Sequence, residues 1–76
     1  MYGYFLQNSN EEYLKVLDTA NGTIEFTKDY KEARNYAGRP GGGQWDADNE
    51  KQYLTFHFEE EYGDRVSSLK CVYKEW

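Results

Sequence analysis

The chain has 76 residues, one cysteine, one proline, fourteen aromatics and a formal net charge of −5, which bounds it to one small acidic domain, residues 1–76. No apolar run approaches the roughly 20 residues of a membrane span. The opening Met1-Tyr2-Gly3-Tyr4-Phe5-Leu6 lacks the basic region of a signal peptide, and the lone Cys71 excludes an intramolecular disulfide, so a reduced, cytoplasmic protein without membrane contact is expected.

Leu, Ile, Val and Phe make up only 13 of the 76 residues, below the roughly one-fifth at which charged chains tend to disorder. Eight Tyr and two Trp argue for a folded, aromatic-heavy core instead, because each can bury a large ring.

In chain order, Tyr2 to Gln7 reads as a strand that turns at Asn8-Ser9-Asn10-Glu11 and pairs with a second, Tyr13-Leu14-Lys15-Val16-Leu17. Asn21-Gly22 then closes a hairpin onto Thr23-Ile24-Glu25-Phe26, because both turn residues tolerate positive φ. Asn21-Gly22-Thr23 matches a glycosylation sequon but is read as turn chemistry. Leu17, Ile24 and Phe26 share one face of that hairpin, and Leu14 and Val16 the other.

Thr27 to Ala37 reads as a helix, capped by Thr27, stopped by Gly38, and presenting Tyr30, Ala33 and Ala37 to the sheet. A flexible Gly-rich and acidic loop comes next, over about 38–50. Gly63-Asp64 signals a second hairpin, which opposes Phe58 to Leu69, Phe56 to Cys71 and Leu54 to Tyr73 on one face. His57, Glu59 and Glu61 lie on the other face. The expected fold is α+β: a small, mostly antiparallel sheet in β-β-β-α-β-β order with one helix packed on one face.

Candidate chemistry is sparse. Glycines 41–43 follow a helix and precede a strand in this reading, and no Gly-Lys-Ser/Thr exists, so a phosphate cradle is not indicated. Asp46-x-Asp48-x-Glu50 spaces like the start of a calcium loop, but Lys51 and His57 stand where that loop requires Gly and Glu. Cys71 and His57 point to opposite faces of the second hairpin, so they form no nucleophile–base pair. No enzyme activity, cofactor or metal is expected.

Residues 46–64 hold seven acids against Lys51 alone. That distribution disfavours direct nucleic-acid binding, which needs clustered Lys and Arg, and suits a basic protein surface. Trp45 and Tyr53 sit beside these acids, and Tyr and Trp are enriched at interfaces.

Tyr13-Leu14-Lys15 and Phe26-Thr27-Lys28-Asp29-Tyr30-Lys31-Glu32-Ala33 resemble the strand, hairpin, Phe-Thr and Ala-bearing helix that open small accessory proteins encoded by phages of Gram-positive bacteria. The resemblance covers the first half of the chain and ends after Ala37. It implies counter-defence: many such proteins block host enzymes, including CRISPR effectors and restriction systems, in the host cytoplasm.

Three readings stand. One is a non-enzymatic inhibitor of a host defence protein, with Asp46, Asp48, Glu50, Glu59 and Glu61 as electrostatic contacts and Trp45 and Tyr53 as anchors. The second is an oligomeric trap for a signalling nucleotide, using Arg39, Gly41, Gly42, Gly43 and Trp45. The third is a structural homo-oligomer.

Overall fold

Asn21-Gly22 turns the chain back as its dipeptide chemistry demands. In the computed structural model, which describes residues 1–76, Gly22 has φ 66°, and the Asp18 carboxylate accepts from the backbone N–H groups of Ala20 and Asn21. β2 (Tyr13–Asp18) therefore pairs antiparallel with β3 (Thr23–Thr27), Leu17 opposite Ile24 and Leu14 opposite Phe26. A bulge between Leu14 and Val16 breaks the strict alternation. It brings Leu14 into the same core as Leu17, Ile24 and Phe26 rather than onto the opposite face.

β1 (Tyr2–Gln7) pairs along its whole length with β4 (Lys70–Glu75), giving an antiparallel sheet of order β3-β2-β1-β4. With β2 it shares one pair, Gln7 opposite Tyr13. Buried Asn8 locks the turn there. Its Oδ1 accepts from the backbone of Asn10 and Glu12, and its Nδ2 donates to Glu12 Oε1 and to the Arg65 carbonyl.

Beyond that pair, residues 33–36 supply partners to both strands. Arg34 N–H donates to the Leu14 carbonyl of β2 and Tyr36 N–H to the Tyr4 carbonyl of β1, both at 2.9 Å. Asn35 Oδ1 accepts from Tyr4 N–H at 3.1 Å. Before this segment, Tyr30 packs with Phe5, Tyr13 and Trp76 at 5.4–6.2 Å; after it, Tyr36 is fully buried among Leu6, Leu14 and Leu54. The chain thus crosses from one sheet face to the other.

This crossing replaces the helix expected over 27–37. Only a single 3-10 turn forms, Tyr30–Glu32, capped by Asp29 accepting from Lys31 N–H. Continuous helix would spend the backbone groups that β1 and β2 require, and the Asn35 side chain competes for the same partners.

The second hairpin is also replaced. Gly43–Tyr62 forms one helix of 20 residues, α1, buried through Ala47, Leu54 and Phe58, spaced i, i+7 and i+11. Residues 43–50 are thus helical, not loop. Gly63, at φ 56°, ends the helix with its N–H donating to the Glu59 carbonyl at 2.7 Å, the left-handed stop that glycine serves best. A short α2 (Asp64–Ser67) leads to buried Leu69 and into β4. Cys71 therefore opposes Leu6, and Tyr73 opposes Tyr4.

The class is α+β, a four-stranded antiparallel sheet with one main helix on one face. Phe56 decides between the two arrangements of 51–74: a hairpin buries it, whereas α1 leaves it 86% exposed. Phe56→Ala is expected to change the unfolding free energy by under about 0.5 kcal/mol. Phe58→Ala, which empties the core, should cost about 3–5 kcal/mol. Urea denaturation of both variants checks this; equal losses would contradict the helix.

Candidate functional site

α1 is about 30 Å long at ~1.5 Å per residue. With Ala47, Leu54 and Phe58 against the sheet, its solvent side presents Trp45, 62% exposed, Tyr53 and Phe56. His57 stacks between Tyr53, at 4.3 Å between ring centres, and Phe56, at 4.9 Å. Asp48, Glu59, Glu60 and Glu61 are all exposed. The helix thus carries Trp45, Asp48, Tyr53 and Glu59 on one element, where the sequence pattern alone divides them between a loop and a strand.

Three assignments change. Glu59 and Glu61 do not share a face, because two residues turn a helix by ~200°. Glu60, one turn beyond Phe56, stands beside the aromatic ridge instead. Glu50 is not a free contact, because it is the acceptor that ties the crossing segment to α1. Its Oε1 accepts from Arg34 Nε at 2.9 Å and from the Tyr36 hydroxyl at 3.1 Å, and its Oε2 from Arg39 Nη1 at 2.8 Å. The guanidinium of Arg39 also lies 4.8 Å from the centre of the Tyr36 ring and that of Arg34 5.6 Å, within cation–π range.

Arg39 is the third. One of its donors, on Nη1, is engaged by Glu50, so the guanidinium is already paired with a carboxylate. The glycines precede a helix, not a strand, but Asp46 adds negative charge in the first turn, where an anion would otherwise be favoured. Gly41 and Gly43 serve close packing: a side chain at Gly41 would meet the Trp45 ring, and one at Gly43 the Tyr4 ring.

Asp46 is half-buried, with Oδ2 shielded from water and without a hydrogen-bond donor. It lines a cleft of about 420 Å³ between the end of β2 and the flank of α1, together with Leu17, Thr19, Arg34, Asn49, Glu50 and Tyr53. Cys71 is half-buried in β4, and its thiol pKa is raised by desolvation and by the charge of Asp48. No three His, Cys, Asp or Glu side chains converge on a metal position.

Phe56, Glu60 and the Arg34–Tyr36–Glu50 cluster were missed by reading the sequence. The signal that would have found the first two is the Ala47, Leu54, Phe58 spacing ending on Gly63. Compared with protein-family models, curated proteins and solved structures, the chain has no match in any of the three.

Burial, reinforced by the Glu50 charge, raises the Tyr36 phenol well above the ordinary tyrosine range. A neutral acid whose folded pKa is raised contributes stability that is full below the unfolded value, about 10, and is lost as pH rises through the folded one. Thermal stability should therefore fall steeply in strong alkali, and Tyr36→Phe should lessen that loss. Glu50→Gln, which puts an amide donor against two arginines, is expected to lower stability by about 1–3 kcal/mol at neutral pH. Melting temperature against pH for wild type and both variants tests this; identical profiles would contradict it.

Proposed function

We propose that the protein is a non-enzymatic inhibitor that lays the solvent side of α1 on a basic, nucleic-acid-handling surface of a host defence protein. The observation that carries this reading is the composition of that one face. Three exposed aromatics, Trp45, Tyr53 and Phe56, lie among Asp48, Glu59 and Glu60, with Lys51 the one basic residue of the helix.

The two components act differently. The carboxylates mimic the charge of a phosphate backbone, steering the helix toward clustered Lys and Arg and making association salt-dependent. The aromatics supply buried area at low entropy cost once contact is made, the usual property of interface anchors. The phage resemblance of the first half of the chain suggests the class of target, CRISPR or restriction effectors, whose grooves hold nucleic acid, although the Ala-bearing helix that partly carried it is here a single 3-10 turn.

The experiment measures inhibition of DNA cleavage across a panel of such effectors, alongside binding to a nona-arginine peptide as a stand-in for the basic groove. Wild type should bind the peptide and inhibit at least one effector, and both effects should weaken as salt rises. Glu59→Lys with Glu60→Lys should reduce binding at least tenfold, as should Trp45→Ala with Phe56→Ala for the effector. A protein that ignores both peptide and panel but self-associates more strongly in high salt would overturn the proposal in favour of a homo-oligomer.

A further inference from the structure

We infer that the cleft beside α1 is a seat for an arginine side chain of the basic partner; the inference rests on the partner reading above and adds how one residue of that partner is recognised. The cleft's volume, about 420 Å³, lies within the range of small-ligand sites. Its chemistry selects among ligands, because its one fixed cation, Arg34, is already paired with Glu50. Both charged edges of the Arg34–Glu50 pair bond to each other, and Glu50 is further occupied by Arg39 and Tyr36. The Asn49 amide nitrogen donates to the Trp45 carbonyl at 2.7 Å, which leaves its oxygen as an acceptor.

Beside that pair stand further acceptors next to a ring. Asp46 contributes a carboxylate with one oxygen that receives no hydrogen bond, an unmet demand that costs free energy wherever water is excluded. Asp46, Asn49 and Tyr53 fall at i, i+3 and i+7, on one flank of α1. Leu17 supplies apolar surface at the far side.

A guanidinium is the complementary group. It carries five donors and no acceptor, matches a carboxylate through two parallel bonds and stacks flat on an aromatic ring, while its methylene stem lies along apolar surface. Asp46 takes the paired bonds after its carboxylate turns toward the cleft, Asn49 accepts a third, and Tyr53 provides the stacking wall. An ammonium satisfies the carboxylate but has no flat face for Tyr53, so arginine is preferred to lysine. The cleft opens on the Tyr53 side of the aromatic ridge, within reach of a partner seated on Trp45 and Phe56.

The test titrates the uniformly labelled protein with N-acetyl-arginine amide and, separately, N-acetyl-lysine amide, following amide signals by NMR. The arginine probe should move Thr19, the Asn49 side-chain amide and Tyr53, and bind at least fivefold more tightly than the lysine probe. Asp46→Asn should weaken it at least tenfold, and Tyr53→Leu should erase the preference over lysine while keeping the fold. Shifts confined to residues 59–61, equal affinity for both probes, or an Asp46→Asn variant that binds normally would overturn the inference. If nona-arginine still binds wild type in that event, the partner reading survives without the cleft; if it does not, the partner reading fails independently.

Discussion

Two adjacent strands that share only one pair must find other partners for the backbone groups they turn toward each other. β1 and β2 meet at Gln7 and Tyr13, and the segment 33–36 enters where they no longer pair, answering the carbonyls of Tyr4 and Leu14 and the N–H of Tyr4. Unmet buried backbone groups cost on the order of 1–3 kcal/mol each, so this insertion is a condition of the sheet. It also constrains the second half of the chain. By carrying the backbone to the helix side, it buries Tyr36 and sets Arg34 and Arg39 to either side of it, where α1 must present Glu50. A partly buried carboxylate with these partners is stable; the same carboxylate alone would be strongly disfavoured.

Once Glu50 fixes the rotation of α1, its other faces are determined. Ala47, Leu54 and Phe58 meet the sheet, and Trp45 and Phe56 are left pointing at water. Only 13 of 76 residues are buried, so the domain has little apolar surface to spare. It nonetheless leaves Phe56 almost wholly exposed, and exposed aromatic clusters on small domains commonly mark contact surfaces. The back of the sheet behaves differently: Phe5, Tyr13, Tyr30 and Trp76 close on one another, with the Lys74 ammonium 6.0 Å from the centre of Tyr13 and 5.7 Å from that of Tyr30. Aromatic excess in this sequence is therefore divided among the main core, this second cluster, a half-exposed Tyr2–Tyr4–Tyr73 group and one open ridge.

The first hairpin was legible because Asn21-Gly22 dictates its turn from two residues alone, and the α+β class came from counting strands. The helix was not. Tyr53-Leu54-Thr55-Phe56-His57-Phe58 alternates as a strand would, and Gly63 serves a hairpin turn as readily as a helix stop, since both use positive φ. Ala47, Leu54 and Phe58 carry the helical period, but it becomes visible only if the glycine-rich stretch is allowed to end at Gly42. A further constraint lies elsewhere in the chain: the free edge of β1 takes Lys70–Glu75 as its partner, a long-range pairing that no local pattern around 53–58 announces. The crossing at 33–36 was illegible for a related reason, since its hydrogen bonds join residues about 20 and 32 positions apart, and no local pattern encodes them. Glu50 looked like one more surface acid in an acidic run, because nothing in its neighbourhood in sequence shows that Arg34 and Arg39 will meet it.

The exposed ridge could in principle serve a second copy of the chain as well as a basic partner, and magnitudes separate the two. Laid antiparallel, two α1 helices set Trp45 of each near Phe56 of the other, and burying such rings is worth about 1.5–3 kcal/mol apiece. In that register Asp48 faces Tyr53 and Glu60 faces Gly41 of the other copy, so neither carboxylate gains a cation. Two chains of charge −5 also repel from a distance before any ring is buried. Against a basic groove the aromatic gain is retained and every electrostatic contribution changes sign. The proposed occupant is therefore the one for which the two halves of this face, its rings and its carboxylates, favour the same contact rather than opposing each other.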